Sequence, residues 1–202
     1  MHHPSFWIKI DVMASHVALL RGINVGGRNK IAMADLRKVV TSLGHTGVTT
    51  YIQSGNVLFT AAGRGNAELA GELESAIVET FGIASSVVVL TRDELAQVLR
   101  DNPYQDEPNP RMVHVVFLNA EPPADLLERI AAAESAAAAK GSRDTIRAIG
   151  RALFVHTPDG FGNSELAQVL FRLVGSSGKT SVAATARNWA TAGKLLALCE
   201  AG

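Results

Sequence analysis

The sequence predicts an α+β protein made of two ferredoxin-like (βαββαβ) subdomains, antiparallel sheets with helices packed on one face. Three observations carry that prediction. Short apolar runs of strand length alternate with segments of helical periodicity. Their order, β-α-β-β-α-β, occurs twice. A proline-rich stretch at 102–110 separates the two occurrences.

The elements follow in order. His16 to Leu20 is an apolar run that ends in the glycine-rich Arg21-Gly22-Ile23-Asn24-Val25-Gly26-Gly27. Leu36, Val39, Val40 and Leu43 then recur on one helical face, with Gly44 as a C-cap signal. Strands are expected at 48–52 and 57–60, with a Gly55-Asn56 hairpin turn in the intervening Gln53-Ser54-Gly55-Asn56. Leu69, Leu73, Ile77 and Phe81 mark a second amphipathic helix, and 86–90, with three consecutive valines, a fourth strand. Thr91 and Glu94 fit a capping box that opens a helix through Leu95, Val98 and Leu99. The pattern restarts with a strand at Val113–Leu118, an alanine-rich helix at Ala124–Ala139 and strands at Thr145–Ile149 and Ala152–His156. Leu166, Val169, Leu170 and Leu173 give another helical face, followed by a short strand at 182–185 and a helix at 188–200. The domain reading is an N-terminal extension (1–15), a first module (16–91), a helix with a proline-rich linker (92–111) and a second module with a C-terminal helix (112–202).

Composition narrows the classes. Of 202 residues 47% are hydrophobic and 19% charged, and 19 basic residues balance 19 acidic ones. A disordered chain needs lower hydrophobicity or a larger net charge, and a general nucleic-acid coat needs a basic excess. No apolar run reaches the ~20 residues that span a bilayer; Phe6-Trp7-Ile8-Lys9-Ile10 is too short, has no basic leader and is read with 1–12 as an extension from an upstream start. The single cysteine, Cys199, sits in an apolar run and reads as a core residue.

Zero net charge is nevertheless a cancellation. Arg21, Arg28, Lys30, Arg37 and Lys38 face only Asp35 between 16 and 40, and Arg172, Lys179, Arg187 and Lys194 face no acid between 171 and 194. Glu68, Glu72, Glu74 and Glu79 crowd one helix. If the two basic segments meet, they form an anion-attracting cleft.

Topology says where chemistry could gather. In a split β-α-β unit the end of the first strand and the second hairpin share one edge, so the loop 21–30 and the turn 53–56 should be neighbours. That collects Arg21, Asn24, Gly26, Gly27, Arg28, Lys30, Gln53, Ser54 and Asn56, with Arg187 as a contributor from the second module. Exposed glycine amides and cations suit phosphate or carboxylate. The competing reading is that Gly26-Gly27 only turns the chain while Asn24 and Asn56 satisfy local backbone. At the far edge of the second half, His114, His156 and Asp159 suit a metal in kind, but they are scattered, and Asn163 or Ser164 reads as a helix cap.

Other motifs fail. Gly175-Ser176-Ser177-Gly178-Lys179-Thr180 lacks the first Walker glycine, since Leu173 stands there, and Gly22, Gly26 and Gly27 have the wrong spacing for a dinucleotide fingerprint. Ser54 has no evident general base. No cofactor and no metal is implied, nucleic acid is disfavoured, no membrane is expected, and oligomeric state is open.

The segment from Ala18 to Gly27, then Lys30-Ile31, Met33 and Leu36, resembles the opening of the domain of unknown function 1697 family. So do Thr50-Tyr51-Ile52-Gln53-Ser54-Gly55-Asn56-Val57, Pro158-Asp159-Gly160-Phe161-Gly162-Asn163-Ser164 and Thr185-Ala186-Arg187-Asn188-Trp189. The resemblance extends over about 16–198 and implies a two-subdomain ferredoxin-like fold in a bacterial, cytoplasmic protein, with no activity to carry over. It departs at Asn163 and Glu165, where the family often carries basic residues, which turns that loop towards capping. The expectation is a binding protein for a small anionic or nucleotide-like ligand. Its rivals are an enzyme acting on a phosphate- or carboxylate-bearing substrate in the same cleft, and a protein–protein adaptor using an exposed sheet.

Overall fold

The computed structural model describes residues 13–174 and 182–201. The first module comprises β1 (His16–Leu20), α1 (Met33–Ser42), β2 (Thr46–Tyr51), β3 (Asn56–Thr60), α2 (Asn66–Phe81) and β4 (Val87–Thr91), and α3 (Arg92–Arg100) follows it. The second repeats the order with β5 (Val113–Leu118), α4 (Ala124–Ala139), β6 (Thr145–Ile149), β7 (Ala152–His156), α5 (Glu165–Leu173) and β8 (Ala184–Asn188), and α6 (Trp189–Glu200) follows. Each sheet is antiparallel, ordered β2-β3-β1-β4 and β6-β7-β5-β8. This is the ferredoxin-like arrangement twice over. The Walker-like segment 175–180 lies outside the described residues, as do 1–12.

The two-residue period of the strands divides the core into three. Ala18 and Leu20 of β1, with Val57, Phe59, Val87 and Val89, face α1 and α2 through Leu36, Val40, Leu69, Leu73 and Ile77. Val116 and Leu118 of β5 and Leu153 and Val155 of β7 pack on α4 and α5 in the same way. The alternate residues, Val17, Leu19, Leu58, Val88 and Leu90 of the first sheet and Val115, Phe117, Ala152 and Phe154 of the second, meet in one shared core with Ala192, Leu195 and Cys199 of α6. Helices α3 and α6 pack on each other there.

The outer helices therefore lie on one face of each sheet, and the second face is covered by the other module. The signal is in the sequence: the strand Val113–Leu118 is apolar at nearly every position, as a strand buried on both faces must be. An adaptor reading that needs an open apolar sheet gains no support, since β1, β3, β4, β5 and β7 are buried along almost their whole length.

Caps fix the helix boundaries that orient the modules. Thr91 accepts from Glu94 N–H while the Glu94 carboxylate accepts from Thr91 N–H, a complete capping box. The same carboxylate receives Asn66 Nδ2 and the Arg151 guanidinium, which ties α3 to α2 and to the second module. Ser164 caps α5 and Asn188 caps α6. The linker is held down: Tyr104 donates to or accepts from Thr145 at 2.7 Å and stacks on His156, whose Nε2 meets Glu107 at 2.7 Å.

Candidate functional site

The glycine-rich loop and the β2–β3 loop are neighbours, as the topology requires. Leu20 N–H donates to Gly55 O at 2.8 Å, and Asn24 Nδ2 donates to Gln53 O at 2.9 Å. Within 21–30 the chain folds back on itself, with Asn24 N–H donating to Asn29 O and Arg28 N–H to Val25 O, both at 3.0 Å. Gly26 and Gly27 occupy the tip at φ 56° and 77°. Positive φ at both central positions is the primed turn that glycine takes without strain. Two asparagines in the same left-handed region replace a sheet ladder. Asn24 Oδ1 accepts from Ile31 N–H at 2.9 Å, and Asn29 Nδ2 donates to Gly22 O at 3.0 Å.

The second loop corrects the expected turn. Tyr51 and Asn56 are paired across β2 and β3, so the connection is the four residues 52–55, and Asn56 is a fully buried strand residue rather than a turn residue. Its Nδ2 donates to Tyr51 O and Ser54 Oγ, both at 3.0 Å, which closes the loop on itself. Gly55 has φ 77°, and a Cβ there would lie 2.8 Å from Leu20 Cβ and from Ile23 Cδ1, so both conformation and space demand glycine. Ile52 is also left-handed, at φ 49°, and 49% exposed.

Arg187 enters this region from β8. Thr185 and Arg187 sit opposite Phe117 and Val115, on the face turned towards the first module. The Arg187 guanidinium is buried and its donors are all engaged. Nε donates to Asn56 Oδ1, Nη1 to Thr185 Oγ1 (2.9 Å) and Ala186 O (2.7 Å), and Nη2 to Leu20 O (2.9 Å), Ser54 O (2.9 Å) and Gly55 O (3.2 Å). Burial pushes its pKa down to about 10. Among the described residues no carboxylate is paired with it; carbonyl dipoles compensate the charge. The two basic segments do meet, but at Arg187 they form a strut between modules rather than the wall of a cleft. Arg21 is a second strut: its Nη1 donates to Val174 O at 2.8 Å, and burial lowers its pKa.

The predicted residues thus separate by role. Asn24, Asn56 and Arg187 are engaged in shaping the two loops, and Ser54 Oγ, with no histidine or carboxylate bonded to it, accepts from Asn56. Gly26, Gly27, Arg28, Lys30 and Gln53 are exposed at the tips. Among the described residues, the amides of Gly26 and Gly27 have no acceptor and Arg28 and Lys30 have no ion-pair partner. Lys38, by contrast, is paired with Asp35, and Arg37 donates to Thr50. Hollows lie elsewhere, one between α4 and β6 and one beside Met13, His16 and Arg92.

The rival constellations disperse. His114 stacks on Phe161 at 3.7 Å and its Nδ1 is buried without a partner, His156 is bonded to Glu107, and the Asp159 carboxylate is held by Arg143. Glu165 is paired with Lys140 at 2.9 Å, and Ser164 donates to Asp144 while capping α5. Ser15 Oγ lies 2.7 Å from His16 Nδ1, a contact no spacing rule revealed, but Ala61 N–H also donates to that oxygen. Among the described residues no three His, Cys, Asp or Glu side chains are grouped to hold a metal ion, and no helix is long and apolar enough to cross a membrane.

Comparison with known proteins agrees with this architecture. A family model described as "Protein of unknown function (DUF1697)" matches residues 13–154, which contain both loops; the segments at 158–164 and 185–189 lie beyond the matched span. A conserved bacterial protein, SP0830 from Streptococcus pneumoniae, has a similar solved structure, with a TM-score of 0.67 at 24% identity, covering 92% of this chain and 98% of that one. At that identity the likeness concerns the fold. No curated protein matches the sequence.

Proposed function

The chain belongs to the DUF1697 family of proteins of unknown function, which assigns it no activity, and from the site itself we propose that it is a binding protein for a small anionic ligand. The anion sits at the tip of the glycine-rich loop, on the Gly26 and Gly27 amides, with Arg28 and Lys30 supplying charge and Gln53 a polar side chain. Asn24, Ser54, Asn56, Arg21 and Arg187 act as positioning residues.

One observation carries the reading. A loop that has, among the described residues, unpaired cations and free amides at its tip is pinned by two left-handed asparagines to itself and to Gln53 O, in a neighbouring loop that a fully engaged, buried guanidinium holds. Backbone in sparsely populated regions persists only where its surroundings over-determine it, and such sites gather where binding needs preorganisation. Neither turning the chain nor filling the core requires exposed cations there. An enzyme in the same place has less support, because no base is hydrogen-bonded to Ser54.

The test is a titration of inorganic phosphate by calorimetry into the wild type and an Arg28→Ala/Lys30→Ala variant. The wild type should bind and the variant should lose at least tenfold in affinity at unchanged melting temperature, since both side chains are exposed. Equal affinity in the two proteins would remove the site.

A further inference from the structure

Val25 and Ile52 are among the most exposed large hydrophobic residues described, at 63% and 49%. They flank the same hydrogen bond: Val25 follows Asn24 and Ile52 precedes Gln53, and Asn24 Nδ2 reaches Gln53 O at 2.9 Å. Ile52 is in addition, among the described residues, the one β-branched residue of the three non-glycine residues at positive φ, the other two being asparagines. A β-branched side chain in the left-handed region is strained, and asparagine or glycine would sit there at less cost. The fold gains little from this side chain, which is half in water.

Resting on the anion-site reading above, we infer that Val25 and Ile52 form the apolar half of that site, so that its ligand is an amphipathic anion: a phosphate or carboxylate whose molecule also carries an alkyl or aromatic group. The head lies on Gly26, Gly27, Arg28 and Lys30, and the apolar group covers Val25 and Ile52. Charge supports the head assignment, since neither 21–30 nor 52–55 contains an acidic residue. An aliphatic ester and a nucleotide share this chemistry, the covering part being an alkyl chain in one and, beyond the ribose, the aromatic face of a base in the other.

Calorimetric titrations of the intact protein with inorganic phosphate, hexyl phosphate and adenosine monophosphate test this, repeated on Val25→Ser/Ile52→Asn. At least one of the two esters should bind about tenfold tighter than phosphate, the gain expected from covering half of two aliphatic side chains. The variant should lose that gain, keep its phosphate affinity and melt no lower than the wild type, because asparagine relieves the strain at 52. A better ester by the alkyl chain alone identifies an aliphatic ligand, and by the base alone a nucleotide. Phosphate binding with no gain for either ester, or a gain that survives in the variant, overturns the inference and leaves the anion site standing. No binding of any of the three removes both.

Discussion

Replacing Arg187 by methionine probes the contact on which the loop geometry depends. The substitution keeps much of the volume and removes every donor. Four acceptors of the first module are affected: Leu20 O, Ser54 O, Gly55 O and Asn56 Oδ1. Two are partly protected, since Thr185 Oγ1 still approaches Leu20 O at 3.4 Å and Leu20 N–H still reaches Gly55 O at 2.8 Å. Among the described residues, Ser54 O and Asn56 Oδ1 lose their only donor. A buried unsatisfied acceptor costs about 1–3 kcal/mol, in full for Asn56 Oδ1 and in part for the half-buried Ser54 O, so the two cost about 2–4. Relief from holding a cation out of water offsets part of that. The net loss is about 2 kcal/mol, or roughly 4–8 °C in Tm for a chain of this size. Urea unfolding followed by tryptophan fluorescence measures it as a lower midpoint at constant slope. Arg187→Lys is the sharper control. A lysine keeps the charge but cannot bridge β1, the β2–β3 loop and Asn56 together, so it should also lose at least about 1 kcal/mol. If the methionine variant unfolds within about 0.5 kcal/mol of the wild type, or the lysine variant matches it, the strut account is refuted.

Two further outcomes follow from the same geometry. Gly55→Ala places a Cβ 2.8 Å from Leu20 and Ile23 at a φ of 77°, so it should destabilise by about 2–4 kcal/mol in the same assay, whereas Gly63→Ala, equally left-handed at φ 68° but with open space around its Cβ, should cost only the backbone strain, about 1–2 kcal/mol. Burial lowers His114 to about 4, below the ~6.5 of an unfolded histidine. The unfolded chain therefore takes up a proton that the folded one refuses as pH falls from about 6.5 to 4. Stability is full above that window and declines through it, by about 1–2 kcal/mol once solvent screening is allowed for. His114→Phe should flatten the decline in a pH series of urea midpoints.

Much of this was legible in the sequence. The strands at Val113–Leu118, Thr145–Ile149 and Ala152–His156 and the Thr91–Glu94 capping box follow from local periodicity and cap chemistry. Split β-α-β topology alone brings the loop 21–30 to the second hairpin. What spacing cannot reveal is which way a polar side chain turns. The apolar pattern ends the expected strand at 185, whereas β8 runs from Ala184 to Asn188 and includes Arg187, whose guanidinium turns inward and finds carbonyls. Asn56 reads as a turn residue because glycine precedes it, yet its side chain satisfies Tyr51 O from within β3. In β2 the register shifts between Thr46 and Thr49, where Gly47 is left-handed, and the strand starts ahead of the apolar residues. Ile52 looks like the last residue of a strand, and only the backbone reveals it as left-handed and half exposed.

The central claim is that free amides at a braced glycine turn receive an anion. Its most direct test is a two-dimensional amide NMR titration of the intact protein with inorganic phosphate. The Gly26 and Gly27 resonances should move together, saturate, and stay fixed in Arg28→Ala/Lys30→Ala. Saturating shifts confined to another part of the molecule, or none at all, would contradict it.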